Sequence, residues 1–176
     1  MDRLVEAFIL LKRRERTKNL KLRVGGGFGP SEEPFVNGLR ERLKTNGVLH
    51  DVEFHPNPDR TAKVKLLHSM TVFCVPALYG EAFGLYVIEA LASGLPIVQP
   101  RAASFPELIR ATGGGVLYEP GDVNALANTV EGLLLDPERL RALGEAGRRS
   151  VLRDFSAGRM AENIARVFQQ VSLRPL

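Results

Sequence analysis

One segment of the chain, residues 70–98, has the pattern of a strand, a loop, a helix and a second strand. Its first part, Met70–Leu78, is an uncharged apolar run, which predicts a buried strand. Leu85–Ser93 is rich in good helix formers and contains no Pro or Gly, so we expect a helix there. A second strand begins at Ile97 and Val98. This order constrains the chain to an α/β fold with parallel strands.

Glycines mark both ends of the predicted helix. Gly80 and Gly84 bracket the loop before it, and Gly84 would let a ligand approach the backbone closely because it has no Cβ. Gly94 stands where a helix ends in a left-handed residue, and Pro96 follows as a stop. The free N–H groups at the start of such a helix lie at the carboxyl edge of a parallel sheet and favour phosphate.

Two glutamates flank this predicted phosphate site. Glu81 lies in the loop, and Glu89 lies about one turn inside the helix. Because a carboxylate repels phosphate, both are better suited to accept hydrogen bonds from hydroxyl groups. A phosphate between two such carboxylates predicts a nucleotide-sugar as the ligand. An isolated Glu would be interpreted as a solvated charge, but Glu89 lies among apolar neighbours, where an unpaired carboxylate is unusual.

The segment closely resembles the donor-binding motif of the retaining GT-B glycosyltransferases, glycosyl transferases group 1 (family 4-like). In that motif the second Glu follows the first by eight residues, as Glu89 follows Glu81 here. The other matching residues are Phe83-Gly84-Leu85, Ala90-Leu91-Ala92, Gly94 and Pro96-Ile97-Val98.

The resemblance implies a role for each part of the motif. Glu81 would be the catalytic residue that faces and orients the donor sugar, and Glu89 would bind the ribose. Backbone N–H groups of the intervening loop would hold sugar hydroxyls and the diphosphate. The residues of that loop are Ala82, Phe83, Gly84 and Leu85. The resemblance implies no cofactor and no metal.

Two earlier loops are predicted at the same edge of the sheet. The glycine-rich residues 25–30 follow a short strand, but they are not a dinucleotide fingerprint because the third glycine position is a proline. In the resembled family a Gly-x-Gly turn lies near the nucleotide here, which implies that Gly25 and Gly26 contact the donor. His55 and Pro56 stand where the family usually has a Gly that contacts the base. His55 is therefore either a base or phosphate contact or a bystander, and the base stays open between UDP and GDP.

Predicted helices and strands alternate along the rest of the chain as well. Further helices are predicted at Met1–Arg16, Glu33–Thr45, Arg60–Ser69, Phe105–Ile109, Val123–Leu135, Asp136–Phe155 and Ala157–Val171, with further strands at Val52–Phe54 and Val116–Tyr118. We therefore expect one Rossmann-like domain over residues 1–176, a doubly wound parallel sheet with helices on both faces. Residues 1–155 would form the α/β core and residues 156–176 a C-terminal helix. Ligands of such sheets bind at the carboxyl ends of the strands.

The resemblance covers only the C-terminal half of a GT-B enzyme. It implies a missing N-terminal acceptor domain and a missing first strand, which by analogy belongs in the middle of the sheet. The loop after that strand would carry an Arg and a Lys that hold the diphosphate. We therefore expect a fragment, or a gap closed by rearranged strands or by a partner chain, with weak donor binding and little or no turnover.

Composition narrows the protein class. Hydrophobic residues make up 44% of the 176, enough for one domain with a core. The single cysteine, Cys74, excludes an intramolecular disulfide, and its apolar surroundings favour a core role. No apolar run could span a membrane and charges interrupt the N-terminal one, so we expect a cytoplasmic protein.

The net charge of +4 is concentrated between Lys12 and Arg23, without the interleaved aromatic residues that would favour nucleic acid. A solvated basic helix end is the plain interpretation, and weak attraction to a membrane surface is the second.

Two other functions stay open at this point. A nucleotide-sugar epimerase of similar fold also uses two such domains, although its motifs match less well. A non-catalytic nucleotide-sugar-binding or partner module could be built on the same domain, since fold alone does not decide function. A second α/β domain encoded upstream of Met1 would favour the transferase.

Overall fold

The computed structural model of the chain describes residues 1–77 and 80–172. In this part of the chain, helices and parallel strands alternate, which confirms the predicted α/β fold. The helices are α1 Asp2–Lys12, α2 Glu33–Thr45, α3 Arg60–His68, α4 Leu85–Ala92, α5 Phe105–Thr112, α6 Val123–Leu134, α7 Pro137–Asp154 and α8 Ala157–Ser172. The strands are β1 Leu22–Gly26, β2 Val52–Pro56, β3 Ile97–Pro100 and β4 Gly115–Tyr118.

The sheet consists of two separate halves. β1 pairs with β2 and β3 pairs with β4, in both cases parallel. The run Met70–Leu78, predicted as a strand, contributes only an isolated bridge between Phe73 and Ile97. The prediction of a regular strand is therefore wrong for the described part of the run, and Leu78 lies outside the described residues. A strand needs a ladder of partners, and here one residue pairs on one side only.

A slot separates the two halves of the sheet. It is a cavity of about 690 Å³, lined on one side by β1 and on the other by residues 70–75. Apolar residues at the start of the chain, in α1 and just before it, also line the slot: Met1, Leu4, Ala7, Phe8 and Leu11. The slot lies at the middle of the sheet, which is the place that the resemblance implied for a missing strand.

Among the described residues, no strand pairs with the backbone edges on the two sides of the slot. Gly26 accepts a hydrogen bond from the Asn57 N–H, so Gly26 faces β2 and, by alternation, Gly25 faces the slot. Phe73 exchanges hydrogen bonds with β3, its N–H donating to the Pro96 carbonyl at 3.0 Å. The backbone N–H and C=O groups of the residues next to Phe73, including those of Cys74, therefore face the slot from the other side. Burial raises the pKa of the Cys74 thiol to about 12, as fits the predicted core role.

The helix ends agree closely with the local sequence signals. The Asp122 carboxylate accepts a hydrogen bond from the Ala125 N–H at 2.9 Å, and Asp136 accepts one from the Arg139 N–H at 3.0 Å. Both aspartates thus cap their helices. Gly94 follows α4 with φ of 81°, the left-handed conformation expected there.

The final helix, α8, presents an apolar stripe to solvent. Met160, Ile164, Val167, Phe168 and Val171 are 46–66% exposed. No described residue covers this stripe. The helix forms where it was predicted, and residues 173–176 of the predicted C-terminal unit lie outside the described residues.

The N-terminal basic cluster is partly engaged within the chain. Lys12 pairs with Asp51 at 2.7 Å, and Arg14 pairs with Glu131 at 2.6 Å. These contacts support the plain interpretation of the cluster over a membrane-binding one. Among the described residues, no helix is both long enough and apolar enough to cross a bilayer.

Gln99 offers a test of packing in the core. Its side chain is fully buried in β3, and neither Oε1 nor Nε2 has a hydrogen-bond partner among the described residues. An unpaired buried polar group destabilises the folded state, so we expect Gln99→Met to raise the free energy of unfolding by about 1 kcal/mol. Urea denaturation measures the change, with the exposed Gln169→Met in α8 as the control near zero. A loss of stability in Gln99→Met would contradict the interpretation.

Candidate functional site

The start of α4 is set by Gly84. This residue is buried and has φ of 79° and ψ of 58°, a left-handed conformation that only glycine adopts without strain. Its carbonyl accepts the Val87 N–H at 2.8 Å and so begins the helix. The turn brings the N–H groups of Phe83 and Gly84 together at the head of α4.

Glu81 occupies these N–H groups with its own carboxylate. Its Oε1 accepts from the Phe83 N–H at 3.2 Å and from the Gly84 N–H at 3.0 Å, and its Oε2 accepts from the Tyr86 hydroxyl at 3.0 Å. These hydrogen bonds, that from Phe83 foremost, lower the pKa of the Glu81 carboxyl. Two of the N–H groups predicted to hold sugar hydroxyls and diphosphate, those of Phe83 and Gly84, are thus engaged within the protein in this state. Their role toward a donor stays a prediction.

The other loop residues lie at the surface. Ala82 is exposed, and the side chains of Phe83 and Leu85 are 45% and 70% exposed. The Phe83 ring packs near Phe155, with ring centroids 6.4 Å apart. A ligand could therefore reach this loop from solvent.

Glu89 projects from the open side of α4. Its side chain is 46% exposed, and its Oε1 pairs with the Lys63 ammonium of α3 at 2.5 Å. Because α4 buries one face and Glu89 lies on the other, this carboxylate among apolar neighbours is paired, as the sequence reasoning required, and it stays open to solvent. Sequence reasoning missed Lys63, which is separated from Glu89 by 26 residues and meets it only through the fold.

Gly25 and Gly26 line the same cavity as Lys63, Tyr86 and Glu89. A Cβ at Gly25 would come within 2.6 Å of a Leu66 methyl group, so glycine permits the close approach of β1 to α3. The structure therefore brings the glycine loop and the second glutamate of the motif together. Glu81 does not line this cavity itself and reaches it through the Tyr86 hydroxyl.

His55 lies apart from this group of residues. Its Nε2 is 3.4 Å from Glu53 Oε2, and the same carboxylate oxygen accepts from the Arg23 Nε at 2.9 Å. His55 pairs with Gly25 across the β1–β2 ladder but does not line the cavity. In this arrangement it belongs to a surface cluster of charges, which favours the bystander interpretation.

The site thus combines acceptors and one cation at the end of a sheet. Glu81 and Glu89 offer carboxylate oxygens for hydroxyl groups, and Lys63 offers positive charge for a phosphate. The Leu85 N–H at the head of α4 is a further donor, at the positive end of the helix dipole. These groups suit a polar, anionic ligand that also carries hydroxyls.

Several known proteins are similar to this chain. The model of the family described as Glycosyl transferases group 1 matches residues 1–150. The MMP alpha-(1->4)-mannosyltransferase of Mycolicibacterium hassiacum is 35% identical over 148 residues, which are 83% of this chain and 34% of that protein. The chain spans about a third of the length of the curated relatives it matches.

Solved structures agree with this relationship. Sucrose-phosphate synthase from Thermosynechococcus elongatus is 27% identical with a TM-score of 0.78, over 95% of this chain and 42% of that one. Anabaena HepE, crystallised with UDP, is 19% identical with a TM-score of 0.83, over 97% of this chain and 45% of that one. These neighbours are GT-B glycosyltransferases, and the likeness confirms the Rossmann-like fold. The motif around α4, the fold and the match over residues 1–150 together place this chain in the family of glycosyl transferases group 1.

Proposed function

We propose that this chain is the donor-binding domain of a glycosyltransferase that moves a hexose from a nucleotide-diphosphate sugar with retention of configuration. The observation that carries the proposal is the meeting of Gly25, Gly26, Lys63 and Glu89 at the slot, where β1 ends beside α4. Separate parts of the sequence converge there on the groups that a nucleotide-sugar requires. The UDP, and UDP with glucose, held by Anabaena HepE support a donor of this class.

Each group would act on a different part of the donor. Glu89 would exchange its contact with Lys63 for the hydroxyls of the ribose, and the freed ammonium would approach the diphosphate. Negative charge develops on the departing nucleoside diphosphate as the bond to the sugar breaks. The Leu85 N–H at the head of α4 and the Lys63 ammonium would stabilise that charge, so we propose a transfer that uses no metal ion. Glu81 would orient the sugar.

We also propose that the chain acts as part of a larger protein. Its curated relatives are more than twice as long, which supports a second domain that carries the acceptor site. The slot in the sheet and the apolar stripe of α8 are surfaces that further polypeptide would cover. The isolated chain would then bind donor weakly and turn over little or not at all.

Calorimetry with UDP-glucose and GDP-mannose tests donor binding directly. We expect Glu89→Ala to weaken binding of the preferred donor about tenfold, because hydrogen bonds to a carboxylate are lost. Glu162→Ala is a matched control, since Glu162 is also an exposed helix residue in an ion pair, with Arg159 at 3.0 Å. Equal affinity in Glu89→Ala and the wild type would count against the site.

A further inference from the structure

Tyr86 connects the first glutamate of the motif to the cavity. Its hydroxyl donates to Glu81 Oε2 at 3.0 Å, and its ring lines the cavity that Glu89 also lines. The ring is partly buried and packs against Phe73, with centroids 6.3 Å apart and planes inclined by 43°. This packing limits the movement of the Tyr86 hydroxyl and therefore of the carboxylate it contacts.

The Glu81 carboxylate uses only part of its capacity to accept hydrogen bonds. A carboxylate has about four lone-pair sites on its two oxygens. Oε1 already accepts from the Phe83 and Gly84 N–H groups, and Oε2 accepts from Tyr86. These three hydrogen bonds from described residues leave one acceptor site, on Oε2. The Tyr86 hydroxyl oxygen, having donated its proton, keeps lone pairs of its own beside it.

The protonation states keep this arrangement fixed near neutral pH. Burial, together with the hydrogen bond to Glu81, raises the pKa of the Tyr86 hydroxyl, so the hydroxyl stays a donor. The pKa of Glu81 is lowered, so its carboxyl stays an acceptor. The hydrogen bond between Tyr86 and Glu81 therefore persists near neutral pH without a change in the protonation state of either group.

We propose that Tyr86 is a positioning residue that holds the Glu81 carboxylate at the head of α4 and leaves one acceptor site, on Oε2, for a hydroxyl of the donor sugar. The proposal rests on the proposed function for the identity of the ligand. The contact between Tyr86 and Glu81 is independent of it.

Tyr86→Phe tests both parts of the proposal. In the protein without ligand, carboxyl ¹³C spectra follow the titration of Glu81, assigned with Glu81→Gln. We expect the titration midpoint of Glu81 to move to higher pH in Tyr86→Phe, because a donated hydrogen bond to the charged form is lost. We also expect UDP-glucose or GDP-mannose to bind about tenfold more weakly, and UDP or GDP alone to change less than about twofold.

Tyr118→Phe is the matched control, since Tyr118 is a buried tyrosine in β4 that makes no contact with Glu81. It should leave the Glu81 titration and both affinities unchanged. A titration of Glu81 that is the same in Tyr86→Phe and the wild type overturns the proposal. An equal loss of affinity for nucleotide and nucleotide-sugar also overturns it, because the defect would then not concern the sugar. If the wild type binds no nucleotide-sugar, the proposed function fails, and the titration still decides whether Tyr86 positions Glu81.

Discussion

Replacing Gly144 with alanine is expected to lower the free energy of unfolding by about 3 kcal/mol. Gly144 is buried in α7, where this helix packs against the end of α4. A Cβ at this position would overlap the carbonyl oxygen of Gly94 and come within 3.5 Å of Pro96 Cδ. The obstacle is backbone held by a tight turn, so a side chain cannot simply rotate away. The helix must move, and the contacts between α7 and α4 are lost with it.

Gly132→Ala is the matched control for this substitution. Gly132 lies inside α6, is exposed, and has no atom within 4 Å of the position a Cβ would take. Alanine is the better helix former, so this variant should gain about 0.5–1 kcal/mol. Urea denaturation with a shared m value compares the two variants. A Gly144→Ala protein as stable as the wild type would mean that α7 does not lie as close to α4 as described.

Helices were the part of the fold most accessible from sequence. α2 has the predicted bounds, Glu33–Thr45, and Asp122 and Asp136 are caps of a residue type typical of helix starts. These signals are local, because a cap or an apolar stripe depends on residues within a few positions of each other. The close contact of Gly144 with Gly94 has no such local signal, since it arises only when two helices meet.

Strand pairing and side-chain partners were less accessible. Whether the run after Met70 forms a ladder depends on strands that are distant in sequence, and here one neighbour is absent among the described residues. The motif located Glu81 and Glu89 correctly at the head and side of α4. It did not predict that Glu81 binds the N–H groups of its own turn, or that Lys63 reaches Glu89 from α3. Both contacts depend on backbone geometry and tertiary placement that residue types do not specify.

A strand added in the slot of the sheet is expected to stabilise the protein strongly. An added strand of six β-branched residues, joined to Met1 by a short loop, should raise the free energy of unfolding by about 3 kcal/mol. For a domain of this size that corresponds to a rise in Tm of about 9 °C. The reason is that the strand would pair with the backbone edges on both sides of the slot and fill the space between β1 and residues 70–75, leaving open the carboxyl end of the slot, where Gly25 and Gly26 lie. Met1 itself lines the cavity, so a short loop suffices for the connection.

The direction of the added strand follows from the neighbours. β1 is parallel to β2, and residue 73 bridges to β3 in parallel, so a strand that runs parallel to both edges restores one continuous sheet. Helices cover such a sheet on both faces, which is why apolar β-branched residues suit every position of the strand. The amides that should gain protection from hydrogen exchange are those that face the slot by alternation, at Arg23, Gly25, Val72 and Cys74.

A control extension separates strand pairing from simple apolar contact. It has the same length and loop but carries proline at alternate positions, so it cannot donate hydrogen bonds to both edges. We expect this control to leave Tm within about 2 °C of the unextended chain. If both extensions stabilise the protein equally, or if the four slot-facing amides exchange as fast as before, then the cavity does not accept a strand. Protection at those amides together with a raised Tm, in the β-branched extension alone, would identify the slot as the place of a central strand. That strand would join the two halves of the sheet at the edge where the proposed donor site lies.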